Sequence, residues 1–313
     1  MALRIVFCGT PAFAVPSLRH LLAQPDVQVE GVVTQPDRPR GRGKEVASSP
    51  VKNAALDAGI AVYQPEKIKS AAAQDYFERL APDAVVIIAY GQIVPARLLA
   101  VPRRGWINLH ASLLPKYRGA APINWAIVNG ETRTGLTTMQ IDAGLDTGPT
   151  LLKYETAIGP DETASALAAR LADAGGPLVV ETLRKLDRGE IVPTPQDNTQ
   201  ATSAPPLNKE DGRINWSLPA PQVYNRIRGF DPWPGAFTSF REKSCHVWGR
   251  PAAHPAPTVA PGTLIATKDK LLVSCGEGTA LEIEFLQMEG RKQITAREFA
   301  NGARLAPADR FGN

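Results

Sequence analysis

Apolar residues in the first part of the chain come in short runs divided by stretches of helical spacing. Arg4 to Gly9 reads as a strand, Phe13 to Leu22 as a helix and Gln28 to Thr34 as a second strand. The alternation continues with a helix at Val51 to Ala58, a short strand at Val62 and Tyr63, and a helix at Asp75 to Leu80. Ala84 to Ala89 is apolar throughout, the pattern of a strand covered on both faces. Trp106 to His110 follows as a strand, Ile123 to Asn129 as a helix, and Thr134 to Met139 and Thr150 to Tyr154 as further strands. Thr163 to Leu186 has helical spacing, with an interruption expected at Gly175 and Gly176. Strands and helices alternating in this way predict an α/β domain on a doubly wound, Rossmann-like parallel sheet.

The pattern stops between Val192 and Leu207, where Pro193, Pro195, Pro205 and Pro206 stand among Thr, Ser, Asn and Gln. A linker over 192–207 would divide a first domain, 1–191, from a second, 208–313. Beyond it lie a helical stretch near Pro221 to Ile227, a turn-rich segment from Asp231 to Gly235, and strand-like runs around Phe237, Val247, Leu264, Leu272 and Ile283. That spacing predicts a small β-barrel or sandwich. A length of 313 residues is enough for two separate cores.

Composition narrows the class. The cysteines, Cys8, Cys245 and Cys275, are widely separated and include no CxxC pair, which argues against a disulfide framework or a zinc cluster. They read as buried thiols in a reducing compartment. Met1 runs straight into the first strand with no secretory pattern, and no apolar run approaches membrane-spanning length, so a cytoplasmic location away from membranes is expected. A net charge of +4 is too small to identify a partner unless the cations cluster. Nothing demands a partner subunit, and a monomer is expected.

Candidate chemistry sits at the end of the Trp106 to His110 strand, where open α/β sheets place their ligands. Strand alternation puts Asn108 and His110 on one face. An amide donor beside an imidazole suits a reaction in which negative charge develops on a carbonyl oxygen. An isolated Asn-x-His is more often a strand end than a site. Here it is followed by SLLPKYRGAAP from Ser112 to Pro122 and DAGLDTG from Asp142 to Gly148. With those runs the chain resembles the family of formyltransferases that use 10-formyltetrahydrofolate.

The resemblance implies that Asn108, His110 and Asp146 are the catalytic set. Asn108 and protonated His110 would hold the oxyanion of a tetrahedral intermediate, while Asp146 orients His110 and assists proton relay. The substrate amine is the nucleophile, so the protein need supply none, and no metal is called for. Similar enzymes place the folate against the segments matching Ser112, Leu113, Leu114 and Pro115, and Ile88, Ala89, Tyr90, Gly91 and Gln92. Asp142 joins this cofactor-binding set. Leu113 and Leu114 can equally serve core packing, since folate pockets have apolar walls. A nucleotide-dependent oxidoreductase would also use a doubly wound sheet, but Gly9 is followed by Thr10, Pro11, Ala12 and Phe13, without the glycines that admit a pyrophosphate.

The acceptor must be read elsewhere. QPDRPRGRGK from Gln35 to Lys44 sets Arg38, Arg40, Arg42 and Lys44 among glycines and prolines, a spacing unsuited to a core element and suited to a phosphate backbone. The branch of the family that formylates charged initiator tRNA carries a similar basic insertion, which enters the acceptor end. By that likeness these cations contact tRNA, Arg42 above all. NKEDGRINW from Asn208 to Trp216 and RIRGFDPWP from Arg226 to Pro234 resemble the second domain of the same branch, which implies an oligonucleotide-binding-like (OB-like) barrel there. Trp216 and Trp233 read as packing residues rather than base-stacking platforms. Relatives often have a lysine shortly before the Lys-Glu-Asp run where this chain has Pro206, which leaves Lys209 as the candidate contact there. The implied reaction transfers formyl from 10-formyltetrahydrofolate to the α-amine of methionyl initiator tRNA. The competing readings are formylation of an amino sugar nucleotide and a folate- or RNA-binding module without catalysis.

Overall fold

The computed structural model describes residues 2–40, 45–254, 259–306 and 309–312. The chain forms two compact units: Met1–Pro122 with Arg133–Thr156 and Ala168–Ala204, and Ile123–Thr132 with Ala157–Leu167 and Pro205–Asn313.

The first unit is built on strands β1 (Leu3–Gly9), β2 (Val27–Val33), β3 (Val62–Tyr63), β4 (Ala84–Ile88), β5 (Trp106–His110), β6 (Arg133–Gln140) and β7 (Thr150–Ala157). They lie in the order β7-β6-β5-β4-β1-β2-β3. From β3 to β5 the pairing is parallel, as the alternation of strands and helices predicts. β6 then joins β5 antiparallel, so the sheet has one antiparallel edge. The chain leaves β1 towards β2 and β3 on one side and returns to β4 and β5 on the other. The switch point therefore falls between the carboxyl ends of β1 and β4, the place where such sheets bind ligands.

Every residue of β4 is buried, in keeping with its unbroken apolar run. Beneath the sheet Phe77 and Trp106 pack at 5.0 Å, and the Trp106 indole donates to Leu98 O at 2.8 Å. Helices α1 (Val15–Leu22), α2 (Pro50–Asp57), α3 (Ala71–Leu80) and α4 (Ala96–Leu99) connect the parallel strands. Ser49 and Ser70 cap α2 and α3 through their side chains. The basic segment carries regular structure that its composition does not suggest: Arg38–Arg40 pairs antiparallel with Glu45–Ala47.

α5 (Pro122–Val128) and α6 (Ala164–Asp187) complete the helices up to this point. The break expected at Gly175 and Gly176 does not occur, and α6 is continuous even through Pro177. Packing overrides local propensity here. A methyl group on Gly175 would lie 2.5 Å from Leu109 Cδ2, and one on Gly176 2.7 Å from His20 Cβ. The glycines allow close approach rather than ending the helix. The proline- and threonine-rich stretch read as a linker carries the strand Ser203–Ala204, which pairs with Arg118–Gly119.

The second unit centres on an antiparallel sheet of β8 (Phe237–Phe240), β9 (Lys243–Pro251), β10 (Leu264–Ala266), β11 (Leu271–Ser274) and β12 (Ala280–Met288). Their order is β8-β9-β12-β11-β10, with Ile294–Thr295 also paired to β12. The two edges are bridged by the tail, where Phe311 pairs with Phe240 of β8 and Arg310 with Thr263 before β10. This is the barrel-like domain expected from the strand spacing. Helices α7 (Ala220–Gly229) and α8 (Ala296–Ala303) pack on the sheet. Trp216, Phe240, Phe299 and Phe311 form an aromatic cluster in the core. Trp216 is buried as expected, but Trp233 is 55% exposed, because Pro234 takes the buried position in that turn.

Candidate active site

His110 ends β5 and is 6% exposed. Its Nε2 lies 2.8 Å from the Tyr117 carbonyl oxygen, which can only accept, so Nε2 carries a proton. Its Nδ1 lies 3.7 Å from Asp146 Oδ2, an ion-pair separation longer than a hydrogen bond. Both ring nitrogens thus face oxygen acceptors. The imidazolium, with an N–H on each nitrogen, can serve both. Asn108 stands two positions earlier in the strand and shares His110's face; it is half-buried, opposite Met139 on one neighbour and Ile87 on the other.

Asp146 is placed by a tight turn in which it has a φ of 53°. Its Oδ2 accepts from Gly119 N at 2.9 Å, and its side chain is 15% exposed. Asp142 shapes the same turn by accepting from Gly144 N at 3.0 Å and Thr147 Oγ1 at 2.7 Å. Gly148 must lack a side chain, since a Cβ would fall 1.9 Å from Gln140 O. A segment that motif reading missed fastens the arrangement. Gln196 donates to Asp146 O and Gly148 O, and Arg118 donates to Gln196 Oε1 and Asn198 Oδ1. Tyr117 N donates to Thr202 Oγ1 at 2.8 Å, which fixes the backbone whose carbonyl holds His110. Arg118 and Gly119 fall inside the quoted SLLPKYRGAAP run; Gln196 and Thr202 carry no local signal.

The residues expected at the folate divide into two groups. Ser112 and Leu114 are buried and engaged: Ser112 Oγ donates to Lys116 O, Thr137 Oγ1 donates to Ser112 O, and Leu114 N donates to Thr137 Oγ1. Lys153 Nζ donates to Leu114 O at 2.6 Å, and the Leu114–Pro115 peptide is cis. Leu113 and Pro115 are the half-buried members of that run. Around the exit of β4, Ile88 is buried, Ala89 and Gly91 are exposed with φ of 47° and 89°, and Gln92 is half-buried. Tyr90 is 2% exposed, and burial pushes its phenol well above its usual pKa. Its hydroxyl has no hydrogen-bond partner among the described residues. Two large apolar side chains on these segments face water, Ile93 at 89% and Leu145 at 70% exposure.

Of the expected tRNA contacts, Arg38 is exposed in the first unit and Lys209 is exposed at the start of a 3-10 turn in the second. Arg42 and Lys44 lie outside the described residues, and for Arg40 the described part is its strand backbone. Among the described residues, no group of three or more His, Cys, Asp or Glu is placed to hold a metal ion. No helix among them is long and apolar enough to cross a membrane.

The chain matches the formyl transferase family over residues 3–183 and the formyl transferase C-terminal domain over residues 206–304. A methionyl-tRNA formyltransferase of Solibacter usitatus is 53% identical over 310 residues, 99% of this chain and 99% of that protein. One from Geobacter sulfurreducens is 48% identical over 311 residues, 99% of this chain and 97% of that protein. Among solved structures, the sugar 3N-formyl transferase WlaRD, crystallised with dTDP and 5-N-formyl-THF, superposes with a TM-score of 0.67 at 18% identity. The match covers 93% of this chain and 100% of that one. HypX from Aquifex aeolicus in complex with tetrahydrofolic acid gives 0.62 at 16% identity, over 96% of this chain and 47% of that one. At those identities the likeness is one of fold. The chain belongs to the formyl transferase family, within which its full-length relatives carry the name methionyl-tRNA formyltransferase.

Proposed function

We propose that the chain transfers a formyl group from 10-formyltetrahydrofolate to the α-amine of methionyl initiator tRNA. The observation that carries the chemistry is the placement of His110 between Asp146 and the Tyr117 carbonyl, at the carboxyl end of the strand that also bears Asn108. In the reaction the bond from the amine to the formyl carbon forms, the bond from that carbon to folate N10 breaks, and a proton from the amine ends on N10. Negative charge gathers on the formyl oxygen between these events. Asn108 donates its amide N–H to that oxygen. His110 joins it by moving Nε2–H from the Tyr117 carbonyl to the oxyanion, while Asp146 keeps the ring in place.

The folate lies along Ile88, Ala89, Tyr90, Gly91 and Gln92 and against Ser112, Leu113, Leu114 and Pro115, with Asp142 shaping the wall. The exposed side chains of Ile93 and Leu145 support that placement, because a flat ring covers such apolar surface favourably. Arg38, Arg40, Arg42, Lys44 and Lys209 take tRNA phosphates. In this reading residues 1–191 hold the chemistry and residues 208–313 form a tRNA-binding domain. The enzyme works in the cytosol as a monomer and uses no metal.

The test is transfer of labelled formyl from 10-formyltetrahydrofolate to charged initiator tRNA at several salt concentrations. The expected result is turnover whose log–log salt slope grows by roughly 0.7–0.9 for each phosphate contact. Arg42→Ala should weaken tRNA formylation and flatten that slope. Turnover on an amino sugar nucleotide but not on charged tRNA would overturn the acceptor assignment, and binding of either ligand with no turnover would overturn the enzyme.

A further inference from the structure

Four neighbouring strands, β3, β2, β1 and β4, end at residues tied together by side-chain amides and the Thr10 hydroxyl. At the centre is Gln35, just past β2. Its backbone N–H lies 3.4 Å from Thr10 Oγ1, and its Nε2 donates to Tyr90 O at 3.1 Å. Thr10 Oγ1 donates to the same carbonyl at 3.1 Å. Gln92 Nε2 donates to Gln35 Oε1 at 3.3 Å and to Glu66 O, while its Oε1 accepts from Ile68 N at 2.7 Å. Those partners leave one workable orientation for the Gln92 amide, because a flipped ring of donors and acceptors would set oxygen against oxygen. On the other side, Gln64 Nε2 donates to both Gln35 O at 2.9 Å and Asp37 Oδ1 at 2.8 Å. Asp37 in turn pairs with Lys52 of α2.

This chain of contacts joins two segments with different tasks. Asp37 stands at the foot of the basic ribbon whose strands are Arg38–Arg40 and Glu45–Ala47. Tyr90 and Gln92 belong to the exit of β4, where Ala89 is held at a φ of 47°. A non-glycine residue keeps such a backbone only where its surroundings fix it, and the two donors on Tyr90 O supply that restraint. The contacts run unbroken from Asp37 through Gln64 to the backbone of Gln35, and through the Gln35 amide to the β4 exit.

We propose that Gln35 is a positioning residue that couples the basic ribbon to the β4 exit, so that tRNA on the ribbon changes the affinity of the folate site, and folate that of the tRNA site. The inference rests on the tRNA and folate assignments of the proposed function. Coupling of this kind is reciprocal, and a factor of about 5 to 150 is usual. It needs a continuous physical link, which the amides provide.

The test uses the full chain. Calorimetry measures the affinity for 5-formyltetrahydrofolate alone and with saturating uncharged initiator tRNA, and the ratio of the two values is the readout. In the wild type this ratio should differ from one by about fivefold or more. Gln35→Met should bring it to within twofold of one. Gln64→Met, which cuts the link at its other end, should do the same, and the double variant should lose no more than either. Loss of packing alone would shift both affinities and leave their ratio. Should Gln35→Met fail to fold, Gln35→Glu replaces it, since a carboxylate facing the Tyr90 carbonyl breaks the same contact. A ratio of one in the wild type, or an unchanged ratio in the variants, overturns the coupling while leaving the proposed reaction intact. A wild-type chain that binds folate but no tRNA overturns the reaction and the coupling together.

Discussion

Gln196 donates one amide hydrogen to the Asp146 carbonyl at 2.8 Å and the other to the Gly148 carbonyl at 2.7 Å, while its own oxygen accepts from Arg118. One side chain therefore spans both segments that flank His110: the turn that presents Asp146, and the backbone from Tyr117 to Gly119 that supplies a carbonyl to the imidazole and an N–H to the carboxylate. With donors and acceptor all engaged, the amide has a single orientation, and the separation of His110 from Asp146 depends on it.

Gln196→Leu should accordingly lower kcat without removing any group that touches the reacting atoms. Misplacement of a reacting group by a fraction of its bond length to substrate costs on the order of tenfold to a hundredfold in rate. Steady-state kinetics should show that loss in kcat, with the KM for charged tRNA changed by less than about threefold. Gln196→Glu keeps the size but loses both donors, and should fall with the leucine variant. Wild-type kcat in both would remove Gln196 from the positioning role.

Asn108→Ala tests the oxyanion assignment directly. Removing one donor to a developing oxyanion typically costs about a hundredfold to a thousandfold in kcat. Folate affinity, measured by calorimetry, should change far less, because the charge that the amide meets exists only during the reaction. Equal turnover in variant and wild type would take Asn108 out of the mechanism.

The parts of this site legible in the sequence are those held by local geometry. Strand alternation places Asn108 and His110 on one face, and the glycine-rich DAGLDTG run makes the turn that presents Asp146. The fastening from Gln196 to Ala204 was not legible, because its bonds run to residues far away in the chain and its proline and threonine composition has no period. Gly175 and Gly176 misled for the opposite reason: glycine weakens a helix locally, yet here the absence of side chains lets α6 approach Leu109 and His20. α8 did have a signal, the Thr295 and Glu298 capping box, in which each side chain meets the other's backbone N–H. The short ribbon around the basic loop and the tail that bridges the barrel edges rest on pairing that no single segment encodes.

That bridge makes a stability prediction. Phe311 is 1% exposed and packs at 5.6 Å from Trp216 and 5.9 Å from Phe240, with its strand partner on the β8 edge. Phe311→Ala leaves a cavity in an aromatic cluster, a change that typically costs about 3–5 kcal/mol. Urea unfolding followed by tryptophan fluorescence should show a loss of that order. A loss below about 1 kcal/mol would mean that the core closes without the tail.

His246 gives the second unit a dependence on acid. Burial is the main cause that lowers its pKa, the nearby positive charge of Lys209 adds to it, and a hydrogen bond with the Ala236 backbone opposes both. The native state therefore resists protonation, whereas the unfolded chain takes a proton near the ordinary histidine value of about 6.5. Above that range the ring is neutral in both states and contributes nothing. As pH falls through it the unfolded state gains protons first, so stability declines until the native ring also titrates. His246→Gln removes this difference while keeping a polar side chain beside Gly235. Urea unfolding at pH 7.5 and pH 5.5 (about one unit on either side of that value) should then show a smaller acid loss in the variant than in the wild type. An identical loss in variant and wild type would show that His246 is equally protonated in the folded and unfolded chains.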